Sequence, residues 1–332
     1  MNVLSLFDGM SCGRIALDRV GIHVDNYYAS ELDKYAIKVT QANWPNTIQL
    51  GDVTKWRDWD IDWRSIDLLI GGSPCQGFSF AGKQLAFDDP RSKLFFVYVD
   101  ILNHIRSVNS DVKFMLENVK MKKEYLDVIT DTMRVDPVFI NSNLVSAQNR
   151  QRWYWTDIGE IDQPEDKGIM LVDILESEGH GVIKSHGVKS QCIDANYHKG
   201  VDNHGQRTVI IHQTSRGNNP GGDRALDGKT PSLTSNSWQH NNHLKFRNKS
   251  KTIRVGGEGS PPDSRQNWDN AFNSKSEYRK LTPVECERLQ TVPDNYTNHV
   301  SNTQRYKMLG NGWTVDVIAH IFEGLTQEVS FF

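Results

Sequence analysis

Ile66-Asp67-Leu68-Leu69-Ile70-Gly71-Gly72-Ser73-Pro74-Cys75-Gln76-Gly77-Phe78-Ser79 decides how the rest of the chain is read. Its first half is a short apolar run bounded by glycine, which predicts a buried strand. That strand cannot run past Ser73, because Pro74 has no N–H to give a neighbouring strand. Cys75 is therefore expected on a loop at the carboxyl end of a strand, where open α/β sheets bind their ligands. A thiol there is well placed to attack a substrate. The competing reading is a small buried apolar group, as most free cysteines are.

Upstream, Val3-Leu4-Ser5-Leu6-Phe7 reads as a strand, Asp8 to Gly13 as a tight turn, and Arg14 to Val20 as a helix stopped by Gly21. Strand, glycine turn and helix open a nucleotide-type fold. The glycines are spaced G-x-x-x-G, however, not the G-x-G-x-x-G that lets backbone approach a pyrophosphate. A cofactor without phosphates suits the turn better. The next strand, Asn26 to Ser30, ends in Glu31, 18 residues after Gly13, where a carboxylate can accept both hydroxyls of a ribose. A helix over 33–42 leads to a strand at Thr47-Ile48-Gln49-Leu50 and then to Gly51-Asp52-Val53. Asp52 can accept from an exocyclic amine such as that of adenine. Taken singly, these acids are ordinary caps or surface carboxylates. Together they describe a site for an adenosine compound lacking a pyrophosphate, and S-adenosylmethionine meets that description.

Downstream, a helix is expected from about Ser92 to Ile105, then a strand at Lys113 to Val119. The strand puts Glu117 at the same rim as Cys75, where it can hold a proton; its alternative role is to cap the helix expected over 122–134. Strands are also expected over Val138 to Val145 and within Gln148 to Trp155. Arg150 and Arg152, two apart on an extended segment, point to one face. They suit a phosphate or a pyrimidine carbonyl, or ordinary ion pairs. Near the end, Thr282, Pro283 and Glu285 form a capping box with proline at the first helical position. Leu309-Gly310-Asn311-Gly312-Trp313 reads as a turn into a closing apolar helix, Val315 to Leu325.

Between about 157 and 278 the periodicity fades and Gly, Asn, Ser and His accumulate. From Lys184 to Arg254 there are 12 Lys and Arg against 4 Asp and Glu, on a chain whose net charge is -3. Such a local surplus can face a phosphate backbone while the rest stays solvated, or can be a charged loop-rich surface. Short strands and long loops with basic and amide tips are expected here. Seven of the 11 histidines fall between His180 and His243 without helical pairing, and the four cysteines show no zinc spacing, so no metal site is expected. The chain, with 332 residues, is long enough for one large and one smaller domain. It has no segment resembling a signal peptide or a membrane span, and a cytoplasmic location is expected.

In this order the motifs resemble those of the DNA (cytosine-5)-methyltransferases over most of the chain: FDGMSCG (7–13), Glu31, GDV (51–53), GGSPCQGFS (71–79), ENV (117–119), QNRQR (148–152), RKLTPVECERLQ (279–290) and LGNGW (309–313). The first half is similar to the animal de novo enzymes, the second to small bacterial and phage-borne ones. The resemblance implies an α/β fold: a doubly wound, Rossmann-like S-adenosylmethionine-dependent domain over 1–156 plus 300–332. A smaller, irregular target-recognition domain would occupy 157–299, including the 279–290 helix. It implies transfer of a methyl group to C5 of a cytosine flipped out of duplex DNA. Cys75 would add to C6, Glu117 would hold the N3 and amine edge, and Arg150 and Arg152 would meet O2 and nearby groups. For S-adenosyl-L-methionine it implies Phe7, Asp8, Gly9, Glu31, Leu32, Asp52, Val53, Pro74, Leu94, Asn311 and Trp313. The family often has a small residue and valine after that asparagine, and Gly312-Trp313 departs from this. The resemblance also implies action as a monomer, no membrane partner, and a cognate restriction endonuclease as a candidate partner. A tRNA cytosine-5 methyltransferase shares the fold; Ser73 before Pro74-Cys75 and the long basic insert lean toward DNA.

Overall fold

Five strands, β1 (Asn2–Leu6), β2 (Asn26–Ser30), β3 (Ile48–Gln49), β4 (Leu68–Gly71) and β5 (Lys113–Val119), lie parallel in the order β3-β2-β1-β4-β5. The source is a computed structural model of the chain, which describes residues 1–73, 93–176, 189–199, 209–213, 222–226 and 278–327. Beyond β5 come β7 (Gln151–Thr156), antiparallel to it, and β6 (Val138–Asn141) at the edge. The chain winds outward from β1 to β3, then returns to β4 on the other side of β1. The crevice at that reversal opens at the carboxyl ends of the strands.

Near-continuous burial along β1, β4 and β5 follows from helices covering both faces. Side chains alternate between two cores. Val3, Leu68, Ile70 and Met115 join one, with α1 (Cys12–Arg19), α2 (Lys34–Asn43) and the closing helix Val315–Gln327. Leu4, Leu69, Phe114 and Leu116 join the other, with α3 (Lys93–Val108) and α4 (Lys123–Met133). No helix among the described residues is long and apolar enough to cross a membrane.

Two sequence expectations need correction. The strand expected over 138–145 stops at Asn141, whose side-chain oxygen accepts from Asn143 N at 3.3 Å and Arg150 N at 3.0 Å and turns the chain into a short 3-10 segment. After the short α5 (Leu171–Ile174), α6 (Pro283–Leu289) carries the expected capping box. Leu281, Cys286 and Leu289 are fully buried in the cluster that holds Val3, with Leu171 and Val292 buried beside them. Finally, 309–311 are not a turn but the last residues of α7 (Asn302–Asn311), which precedes α8 (Val315–Gln327). Gly310 is there because a Cβ would lie 2.1 Å from the Asp194 carbonyl carbon, so only glycine lets the helix meet that loop.

Within the irregular region, β8 (Val209–Gln213), β9 (Gly222–Leu226) and β10 (Tyr278–Lys280) form a small antiparallel sheet in the order β10-β8-β9.

Candidate active site

β1 ends where three alternate residues, Phe7 (φ 57), Gly9 (φ 60) and Ser11 (φ 62), enter the left-handed region. For the two that are not glycine this costs on the order of 1 kcal/mol each, so the surroundings must hold them. They do: Asp8 N donates to Ser30 O at 3.1 Å, Gly9 N to Glu31 Oε2 at 2.7 Å, and Ser11 N to Asp8 O at 3.1 Å. The turn thereby folds the Asp8 carboxyl inward, where it accepts from the Ser11 hydroxyl and from the Tyr27 hydroxyl at 2.8 Å. Burial pushes Asp8 up to about 6, against the pull of those hydroxyls.

At the end of β2, Glu31 is fixed by main chain alone. Its Oε1 accepts from Leu32 N and Asp33 N, both at 2.7 Å, and Oε2 takes Gly9 N. The neighbouring Leu32 is 70% exposed. Past β3, Asp52 caps a 3-10 segment, Val53–Asp58, through Oδ1, which accepts from Thr54 N at 2.9 Å and Thr54 Oγ1 at 2.8 Å. Those donors hold Asp52 below the ordinary carboxylate range. Asp33 caps α2 and pairs with Lys307 Nζ of α7 at 2.7 Å.

The other end of the crevice is built across strands. Glu117, in β5, is buried, and its Oε1 lies 2.8 Å from Arg152 Nε of the paired strand β7. Its Oε2 accepts from the indole N–H of Trp313 at 3.2 Å. Gly72 makes room for both: a Cβ there would stand 2.8 Å from Oε2 and 3.0 Å from the indole nitrogen. Arg150 does different work from Arg152, although they are two apart. It lies just before β7, is 4% exposed, and donates to the carbonyls of Ile193 at 3.3 Å, Gly310 at 3.2 Å and Gly312 at 2.8 Å, and to Cys192 Sγ at 3.2 Å. It ties the end of α7 and the 192–193 segment to the sheet. Its pull, with that of Arg152, draws the Cys192 thiol below its ordinary value although burial opposes this.

One cavity of about 640 Å³ joins both ends. It is lined by Phe7, Asp8, Gly9, Glu31, Leu32, Asp52, Val53, Leu94, Glu117, Arg150, Arg152, Asn311 and Trp313, 13 of the 15 side chains the sequence singled out. The other two, Pro74 and Cys75, lie outside the described residues. Gly72, Asp33 and Lys307 also line it, and sequence reasoning missed them. Gly72 had a signal in the glycine pair before Ser73-Pro74; Lys307 had none, since its role depends on α7 reaching α2. Around the turn the lining is acidic, with Asp8, Glu31, Asp33 and Asp52 against the one paired Lys307. Such a wall repels a pyrophosphate and suits a cationic ligand bearing hydroxyls and an amine. The far end presents a carboxylate held from both sides, able to accept from a neutral ring edge.

The profile of the C-5 cytosine-specific DNA methylase family matches residues 1–327. Type II methyltransferase M1.ScrFI of Lactococcus lactis subsp. cremoris is 28% identical over 93% of this chain and 75% of its own. Orphan methyltransferase M.SPRI of Bacillus phage SPR is 27% identical over 98% of this chain and 97% of its own. Among solved structures, the Entamoeba histolytica methyltransferase EhMeth superposes with a TM-score of 0.67 at 16% identity, covering 99% of this chain and 98% of that one. The fold is thus that of known methyltransferases, and the chain belongs to the C-5 cytosine-specific DNA methylase family.

Proposed function

We propose that the protein methylates C5 of a cytosine in duplex DNA through a covalent bond from Cys75 to C6. The observation that carries this reading is the single cavity with an acidic, hydroxyl-accepting end and, at its other end, Glu117 braced by Arg152 and Trp313. A base inside a duplex is out of reach, so the cytosine enters the pocket flipped out. The Cys75 thiolate adds to C6, and the electron pair of the C5–C6 bond makes C5 nucleophilic. Glu117 accepts from the exocyclic amine and, entering the reaction with a proton on its other oxygen, donates to N3, so that the negative charge the thiolate brings to the ring is neutralised there. Arg152 faces O2, while Arg150 holds the wall behind it. S-adenosylmethionine supplies a methyl group on a sulfonium centre when bound. C5 would take that methyl as the sulfonium–methyl bond breaks, leaving S-adenosylhomocysteine; passage of the C5 proton to water or a solvent base, with cleavage of the C6–S bond, would return the thiolate and 5-methylcytosine.

For the cofactor, Glu31 is assigned to the ribose hydroxyls, Asp52 to the adenine amine, Phe7, Leu32 and Val53 to the faces of the ring, and Asp8 and Gly9 to the methionine end. Leu94, Pro74, Asn311 and Trp313 close the site. The basic 184–254 stretch is assigned to reading the target, with phosphate contacts setting position and base-edge contacts setting sequence. We assign the protein to the cytoplasm, acting as a monomer on DNA, with a cognate restriction endonuclease as the partner to look for.

Duplex DNA carrying 5-fluorocytosine tests the reading. Fluorine at C5 blocks the final elimination, so the protein is expected to migrate joined to DNA on a denaturing gel in the presence of S-adenosylmethionine. The band is expected to vanish in Cys75→Ala, whose fold is unchanged. An adduct formed on tRNA and never on varied DNA would move the assignment to an RNA substrate.

A further inference from the structure

We infer that Trp313 is a positioning residue for Glu117, the partner that fixes which way the carboxylate faces; this rests on the reading of Glu117 given above. Arg152 Nε is close to Oε1 at 2.8 Å, but its N–H is not aimed along that line, so the pair is an ion pair without an aligned hydrogen bond. Among the described residues, the Trp313 indole N–H makes the aligned bond to Glu117, at 3.2 Å to Oε2. An ion pair alone leaves a carboxylate free to rotate about its last torsion, since charge attraction has little angular preference. A directed donor on the second oxygen removes that freedom before the base arrives.

The indole is itself pinned. Gly312, just before it, donates its N–H to Met308 O at 2.7 Å, and its carbonyl accepts from Arg150 Nη2 at 2.8 Å and Gln290 Nε2 at 3.2 Å. Thr314, just after it, donates to Gln290 Oε1 at 2.9 Å. The buried Arg150 and Gln290 therefore set the backbone from which the ring projects, and Gly72 leaves the gap through which it reaches Oε2. Phenylalanine at 313 would keep an aromatic ring in place and lose the donor.

Steady-state methylation of unmethylated phage lambda DNA tests this with Trp313→Phe. The kcat is expected to fall about 10- to 100-fold, the range for one hydrogen bond to a charged group. KM for S-adenosylmethionine is expected to stay within about threefold, since phenylalanine keeps an aromatic ring closing the cofactor site and loses only the donor, which marks a loss in the reacting state rather than in cofactor binding. Trp313→His, which keeps a ring N–H, is expected to recover most of the loss. In a Glu117→Gln background Trp313→Phe should cost nothing further, because its partner is already altered. Gly72→Ala gives a second route, placing a methyl 2.8 Å from Oε2 while keeping both side chains, and should lower kcat in the same way. A Trp313→Phe enzyme with unchanged kcat, a loss that extra cofactor restores, or a full further loss on top of Glu117→Gln would overturn the inference alone. A wild-type protein that transfers no methyl to this DNA would overturn the function and the inference together.

Discussion

At the acidic end of the cavity Glu31 is held by backbone N–H groups and Asp52 by a residue two positions on, whereas at the far end Glu117 is held by side chains from distant parts of the chain. Glu31 takes the N–H groups of residues 9, 32 and 33, and Asp52 takes the N–H and the hydroxyl of Thr54. Glu117 depends on Arg152 across a strand pair and on Trp313, 196 residues away. The lesson is that local turns suffice to present acceptors to a cofactor, while orienting a reacting group draws on the assembled tertiary structure. The two ends should therefore fail differently: changes at the acidic end should alter cofactor affinity and the cost of folding, and changes at the far end should alter turnover or the joint behind it.

The largest effect is expected from the two arginines. Arg150→Ala should destabilise the protein by about 3–5 kcal/mol in urea unfolding, because the buried carbonyls of Ile193 and Gly310 lose this donor together and that of Gly312 is left with Gln290 alone. Arg152→Ala should cost less than half of that and show its effect in kcat instead. Equal losses of stability would end the distinction between a tie and a catalytic partner.

Next comes Asp8, buried at the strained turn. Its folded value, about 6, lies above its ordinary 3.8, so the stability it contributes is fully present below about pH 3.8 and lost as pH rises through about 6. The loss at neutral pH approaches about 3 kcal/mol from the size of the shift. Asp8→Asn should thus raise the melting temperature relative to wild type at pH 7.5, with the advantage shrinking at pH 5, and should weaken cofactor binding. An advantage that grew on acidification would mean that burial is not what costs this carboxyl its charge.

The smallest of these effects sharpens the contrast. Glu31→Ala should weaken binding of S-adenosylhomocysteine about 10- to 100-fold by calorimetry, as expected for losing paired hydrogen bonds to a charged acceptor. At saturating cofactor its kcat should stay near wild type, unlike that of Trp313→Phe.

Much of this was legible in the chain itself. The apolar runs of β1, β4 and β5, the acids that follow β2 and β3, and the capping box of α6 show themselves in residue type and spacing within a few positions, which the sequence displays. Only the tertiary structure separated Arg150 from Arg152, since both occupy one short motif and differ in what surrounds them: carbonyls of the 193 and 310–312 segments for one, Glu117 for the other. The same holds for α6, whose apolar face could have served any core until α5 and α7 packed against it. Trp313 is the clearest case. Its residue type departs from the family pattern, and its meaning depends on an angle and a gap that arise where Gly72, Glu117 and the end of α7 converge, because hydrogen bonds are directional and sequence order carries no direction in space.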